Sequence, residues 1–120
     1  PEHGQESYAF LNFFLNDLEI ARRVNTAFKA NGLDVCFHYY DNNWHYIRKW
    51  DHLKKNKSLY LFSDKIKDEL KNLNKRDFSK SDHYIGRNIS CLIKLSWSHD
   101  EVIKRASVMV DCIKSAYSSS

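Results

Sequence analysis

Asn88-Ile89-Ser90-Cys91-Leu92-Ile93-Lys94-Leu95, followed closely by Ser98-His99-Asp100-Glu101, is the stretch that decides the fold class. The first run is short, apolar and bounded by polar residues, which reads as a strand. Ser98 and Glu101 then stand three positions apart, the spacing of a capping box. In that motif the serine side chain accepts from the first-turn backbone, and the glutamate returns to the serine's own N–H. Val102, Ala106, Met109, Val110, Ile113 and Tyr117 continue along one helical stripe. A strand followed at once by an amphipathic helix buries itself by packing the helix on a sheet.

The same alternation extends outward on the N-terminal side. Residues 7–15 are apolar on both parities and too short for a typical helix, so they predict a central strand. Asn16 and Glu19 offer a second capping arrangement. Ile20, Val24, Ala27 and Phe28 repeat at helical spacing, and Asn31-Gly32 supplies a left-handed stop. Leu33 to Tyr40 is rich in Val, Phe and Tyr and predicts a second strand. Asp41-Asn42-Asn43 breaks it with a sharp turn. Trp44, Ile47, Trp50 and Leu53 predict a short helix from Trp44 to Lys55. Leu59 to Phe62 is a brief apolar run, and Ser63 caps a helix bearing Ile66, Leu70 and Leu73. Residues 74–83 are polar and read as loop. The implied class is α/β (α+β), a small sheet of three to four strands with amphipathic helices on one face. One small domain spans residues 1–117, with 118–120 as a tail.

Composition narrows the function classes. The apolar and charged fractions of the 120 residues are those of a globular chain, which argues against wholesale disorder. The net charge of +4 has its source in the middle third, from Arg48 to Arg76. Such a run is first a solvated helix face and second an attractor of anions. Cys36, Cys91 and Cys112 sit in apolar surroundings without C-x-x-C spacing, and read as reduced, buried thiols of a cytoplasmic protein. No apolar run is long enough to span a membrane. The chain opens Pro1-Glu2-His3-Gly4 without a methionine, which reads as a piece of a longer polypeptide.

The chemistry concentrates between Cys36 and Leu53. Phe37, Tyr39, Tyr40, Trp44, Tyr46 and Trp50 fall there, with His38, His45 and His52. Side chains that are both aromatic and polar suit a surface that stacks on a polar partner and hydrogen-bonds to it. His38, His45, Asp51 and His52 lack the spacing of a zinc site, so no metal is expected. Each cysteine lies in an apolar segment that disfavours a thiolate nucleophile. Gly4, Gly32 and Gly86 form no phosphate cradle. One open reading is a module for single-stranded nucleic acid. Tyr39, Tyr40, Trp44, Tyr46 and Trp50 would stack on bases while Arg48, Lys49, Lys54 and Lys55 meet phosphates. A simpler one is that Trp44, Ile47, Trp50 and Leu53 are the buried stripe of a short helix. Arg87, beside Gly86 at the start of the third strand, suits capture of a carboxylate, or a local pairing with Asp82 or Asp77.

Three segments also carry a resemblance. Ser7 to Leu15, then Tyr40-Asp41-Asn42-Asn43-Trp44-His45-Tyr46-Ile47-Arg48-Lys49-Trp50-Asp51-His52-Leu53, then Arg87 to Trp97, resemble the C-terminal small domain of DegT/StrS-type sugar aminotransferases. These enzymes use pyridoxal 5′-phosphate (PLP). The nearest subgroup makes 8-amino-3,8-dideoxy-manno-octulosonate, an aminated sugar of some bacterial lipopolysaccharides. The resemblance covers nearly the whole chain, and the run from Asp41 to Leu53 is its most specific part. It implies a large PLP-binding domain upstream, a homodimer, and amino transfer from an amino acid, glutamate by preference, to a keto or aldehyde sugar. By that resemblance Tyr40, Asn43, Trp44, His45 and Arg48 are candidate sugar contacts, and Arg87 a candidate for a carboxylate of sugar or donor. The chain departs from the family in lacking the large domain that carries the PLP lysine. It is therefore expected to be inert alone and to hold no cofactor alone.

Overall fold

A computed structural model describes residues 9–42, 45–55, 57, 59–73 and 75–118. Its strands are β1 (Phe10–Phe14), β2 (Cys36–Phe37) and β3 (Asn88–Leu92). Its α-helices are α1 (Leu18–Ala30), α2 (Asp51–Lys54), α3 (Asp64–Leu73), α4 (Ser79–Arg87) and α5 (His99–Ser118), and Ile47–Lys49 forms one 3-10 turn. The strands make an antiparallel sheet in the order β1-β3-β2. The chain is thus mixed α/β with a small sheet, as its strand and helix signals imply.

The sheet's centre is not where apolarity alone puts it. β1 is an edge strand, and β3 is central. β1 is apolar on both parities because its two faces meet different surroundings. Phe13 packs on the core, whereas Phe10 and Phe14 remain 45% and 56% exposed on the other face. β3 carries the small Ser90 and Cys91 and fits between two neighbours, with Ile89, Ser90 and Cys91 all buried. It ends at Leu92, earlier than its apolar run.

The predicted second strand shrinks to Cys36–Phe37. Leu33 and Val35 are buried ahead of the ladder, and Val35 lends its carbonyl to Leu92 N at 2.9 Å. Past Phe37, the His38 ring bonds to the Gly86 carbonyl at 2.8 Å and draws the chain off the sheet.

α1 begins one residue later than the Asn16 reading. Asp17 is the cap, its Oδ1 accepting from Ile20 N at 2.8 Å. An aspartate adds negative charge at the helix's positive end. Gly32 takes φ +76° after Asn31, and Leu33 N closes the turn on Phe28 O at 2.9 Å. α5 opens on the capping box: Ser98 Oγ accepts from Glu101 N at 3.2 Å, and Ser98 N donates to Glu101 Oε2 at 2.9 Å.

Ile20, Ala21, Val24 and Phe28 of α1 and Cys112 and Ala116 of α5 bury themselves against Ile89, Cys91 and Cys36. The two longest helices therefore cover one sheet face. Residues 74–83, which read as loop, instead run into α4 from Ser79. Its inward positions are Asp82, Ile85 and Gly86, so no apolar stripe announces it. The helix expected from Trp44 to Lys55 is reduced to the 3-10 turn and α2. α3 buries none of its described residues, and Leu59 and Leu61 ahead of it are 99% exposed. No helix among the described residues is long and apolar enough to cross a membrane.

Candidate functional site

Strand alternation assigns the second sheet face. In register, Phe10↔Leu92, Asn12↔Ser90 and Phe14↔Asn88 share a side, and Phe37↔Ser90 extends it. The long helices lie on the opposite side. On this open face a shallow cavity of about 350 Å³ is lined by Asn12, Phe14, Tyr39, His45, Tyr84, Ile85 and Asn88. Each element supplies one part. β1 gives Asn12 and Phe14, β3 gives Asn88, α4 gives Tyr84 and Ile85, and Tyr39 and His45 complete the lining.

The aromatic walls are mutually braced. Tyr39 stacks on Phe37 with centroids 6.0 Å apart, and His45 meets Tyr39 edge-on at 4.6 Å. Tyr84 meets Phe14 edge-on at 6.4 Å. Asn88 Nδ2 donates to Phe13 O at 3.3 Å, which orients that amide. Among the described residues the lining holds neither a lysine nor a carboxylate. It offers rings to stack on, and amides, hydroxyls and an imidazole to hydrogen-bond with, a chemistry suited to a hydroxylated, mostly neutral ring.

Two polar clusters hold the overlying segment in place. In the first, Asp82 of α4 accepts from Tyr46 Oη at 2.6 Å and pairs with Arg48. Tyr46 is only 4% exposed, and burial pushes its hydroxyl above the ordinary phenol range, so it remains a donor. In the second, Arg22 clasps Asp41 with two bonds of 2.8 and 3.0 Å while also bonding Glu19. The buried His38 donates through Nε2 to the Gly86 carbonyl, since a carbonyl can only accept. Its Nδ1 lies 3.2 Å from Asp41 Oδ2 but makes no hydrogen bond. The Gly86 contact is thus the anchor, and Asp41 is a facing charge.

The Arg22 guanidinium holds the Asp41 carboxyl below its ordinary value of 3.8. A lowered folded value means the clasp stabilises fully above that pH and is lost as pH falls through the depressed value. Because Asp41 is more than a third exposed and Arg22 lies at the surface, solvent screening keeps the contribution small. Tyrosine fluorescence is expected to hold steady from neutrality to about pH 5 and to change only below the ordinary aspartate range, and Arg22→Gln should remove that change. An unchanged acid transition in Arg22→Gln would show that the clasp does not hold the segment.

The residues singled out from sequence divide. His45 lines the cavity. Tyr40 is half-buried beside Gly86, with Lys49 Nζ 4.3 Å above its ring, and does not line the cavity. Arg48 is engaged with Asp82. Arg87 donates Nε to Leu15 O at 2.7 Å and Nη1 to His83 Nε2 at 2.6 Å, clamping the end of α4 to the end of β1. Asn43 and Trp44 lie outside the described residues. Asn12, Phe14, Tyr84, Ile85 and Asn88 were not anticipated as lining. The signal that could have found them is parity: Asn12, Phe14 and Asn88 share the face opposite the core residues Phe13 and Ile89. Among the described residues no three His, Cys, Asp or Glu side chains gather as a metal site. No protein-family model matches the chain.

Proposed function

We propose that this chain is the substrate-side domain of a PLP-dependent sugar aminotransferase. In this reading the open sheet face forms one wall of the pocket for a keto or aldehyde sugar. The observation that carries it is the cavity of Tyr39, His45, Tyr84, Phe14, Asn12 and Asn88, whose stacked rings and amides match a hydroxylated ring. The resemblance of the Asp41–Leu53 run supports the same reading, since His45 of that run reaches the cavity. The cavity does not suit PLP. PLP needs a lysine and an acidic partner for its ring nitrogen, and neither lines this cavity. In this reading the cofactor, the amino donor and the second wall belong to a large domain outside this chain and, in a homodimer, to the partner subunit.

Tyr39 lines the cavity beside His45, its ring braced by Phe37. Tyr39→Ala is expected to weaken binding of an octulosonate sugar about tenfold, read by titration of tyrosine and histidine NMR signals, because an aromatic platform contributes about 0.5–1.5 kcal/mol beyond its area. Equal affinity in the variant would remove the cavity from the reading. For the whole enzyme, the complete reading frame that contains this sequence should transfer amino groups from glutamate to a keto sugar only with PLP present. A complete, folded product with no such transfer to any keto sugar would overturn the proposal.

Single-stranded nucleic acid is less well served. Of the stacking set, Tyr46 is buried and Tyr40 lies under Lys49; of the phosphate set, Arg48 is paired with Asp82. Tyr39 alone of the described members faces the open cavity.

A further inference from the structure

Cys36 and Cys91 are placed face to face by the sheet register. Leu92 N donates to Val35 O at 2.9 Å, which makes Val35 and Leu92 a hydrogen-bonded pair. The next pair along, Cys36↔Cys91, is then non-hydrogen-bonded, the type whose Cα atoms lie about 4.5 Å apart with the closest side chains. That spacing falls at the short end of the roughly 4.4–6.8 Å that a disulfide spans. Both residues are buried, yet both line an apolar cavity of about 160 Å³ between the sheet and α5, walled by Leu11, Trp97, Val102 and Met109. A small uncharged molecule fits such a space. Arg105 stands beside it with its guanidinium 4.3 Å from the Trp97 ring centroid.

The two thiols are not equivalent. Contact with Cys91, and then the charge of Arg105, holds Cys36 below the ordinary thiol range. The same contact, with burial, pushes Cys91 upward. Arg105 lines the same cavity as both thiols, and its positive charge acts on Cys36, so the attack is assigned to Cys36 and the resolving step to Cys91. Cys112 lies outside this cavity's lining, and burial pushes its thiol up.

We propose that Cys36 and Cys91 form a reversible dithiol–disulfide pair, oxidised by hydrogen peroxide that enters through the cavity between the sheet and α5. The Cys36 thiolate attacks the terminal peroxide oxygen. The O–O bond breaks, and the departing hydroxide takes up the proton Cys36 released and leaves as water. Cys36 is then a sulfenic acid. The Cys91 sulfur attacks the Cys36 sulfur, the S–O bond breaks, and the hydroxide leaves with the Cys91 proton as a second water. Two electrons pass from two thiols to one peroxide, and a dithiol reductant reverses the change. The bond would tie β2, which pairs through only two residues, to the central strand. β2 leads directly into the segment that carries Tyr39 over the sheet-face cavity, so oxidation stiffens that approach.

The test is peptide mapping of the whole chain, without reduction, after exposure to hydrogen peroxide. The expected result is loss of the mass of two hydrogens, a linked pair of peptides containing Cys36 and Cys91, and full reversal by dithiothreitol. Cys112→Ser should behave identically. Cys91→Ser should instead leave Cys36 as a sulfenic acid trapped by dimedone. Amide exchange at Cys36 and Phe37 should slow roughly tenfold in the oxidised form. Oxidation confined to Cys112, links only between separate chains, or Cys36 and Cys91 recovered as thiols would each overturn the proposal. The wild-type map decides even if a variant fails to fold.

Discussion

Replacing Phe28 by alanine is expected to cost about 3–5 kcal/mol, the largest loss from any single side chain here. Phe28 is fully buried and closes the last turn of α1 over the sheet. Its ring meets Phe13 of β1 edge-on, with centroids 6.5 Å apart. It belongs to the same cluster as Val24, Ile89 and Cys91, so one side chain joins a helix, the edge strand and the central strand. Removing it leaves a cavity among groups that cannot all close in, and the lost transfer and packing terms add. A domain's whole stability is about 5–15 kcal/mol, so the variant should sit close to its unfolding transition at room temperature. Urea titration would show a lower midpoint with an unchanged slope. A loss under about 1 kcal/mol would mean that α1 is not held by this packing. Because Phe28 lies on the sheet face opposite the candidate cavity, the folded fraction should still bind sugar normally.

Asp82→Ala should have the second largest effect, and it should reach the cavity. Asp82 serves two partners, the Tyr46 hydroxyl and the Arg48 guanidinium. Truncation leaves the hydroxyl of a tyrosine only 4% exposed without its acceptor. An unsatisfied buried donor costs about 1–3 kcal/mol. The half-exposed Arg48 adds little, since water replaces its partner. The expected total is about 2–3 kcal/mol. The functional effect follows from sequence adjacency. Tyr46 follows His45, and its ring is also braced edge-on by Phe78 at 6.2 Å. Without the Asp82 bond, His45 and Tyr39 lose their fixed position over the sheet. Sugar affinity should fall at least about tenfold, the scale of one lost positioning hydrogen bond. Asp82→Asn retains an acceptor for Tyr46 and should recover most of the stability. A variant Asp82→Ala as stable as its parent would show that the segment is held by ring packing alone.

The two arguments separate what holds the domain from what shapes its site. Phe28 acts through burial on the helix-covered face. Asp82 acts through a polar contact between elements distant in sequence. The first kind of residue was visible in the sequence. Ile20, Val24, Ala27 and Phe28 recur at helical spacing, and helical spacing is a local property. The second kind was not. Asp82 sits in a polar segment whose periodicity is silent, and its partners Tyr46 and Arg48 lie in another element. Only chain closure brings them together.

The same distinction explains the errors of strand placement. Apolarity on both parities made β1 look central, but exposed aromatic rings on an open sheet face give the same pattern as burial between two layers. Pairing order depends on long-range contacts, and β3 takes the centre by pairing with β1 on one side and β2 on the other. Leu33 to Tyr40 has the composition of a long strand. The His38–Gly86 bond, across 48 positions of sequence, ends it after Phe37. α4 was missed because it meets its neighbours through Asp82, Ile85 and a glycine, Gly86, that lies close to Leu18 of α1, a set that forms no apolar stripe.

The sequence by itself determined the class, the C-terminal stop of α1, the capping box that opens α5, and the burial of all three cysteines. Each of these rests on interactions within a few residues: capping bonds, helical periodicity, and the preference of thiols for apolar segments. The tertiary structure alone decided which strand is central, which sheet face is open, and that Asn12, Phe14, Tyr39, His45, Tyr84 and Asn88 share one cavity. It alone set Cys36 opposite Cys91 and turned Arg87 toward Leu15 and His83. These are pairings between distant segments, and their free energies depend on register and closure, which no local pattern encodes.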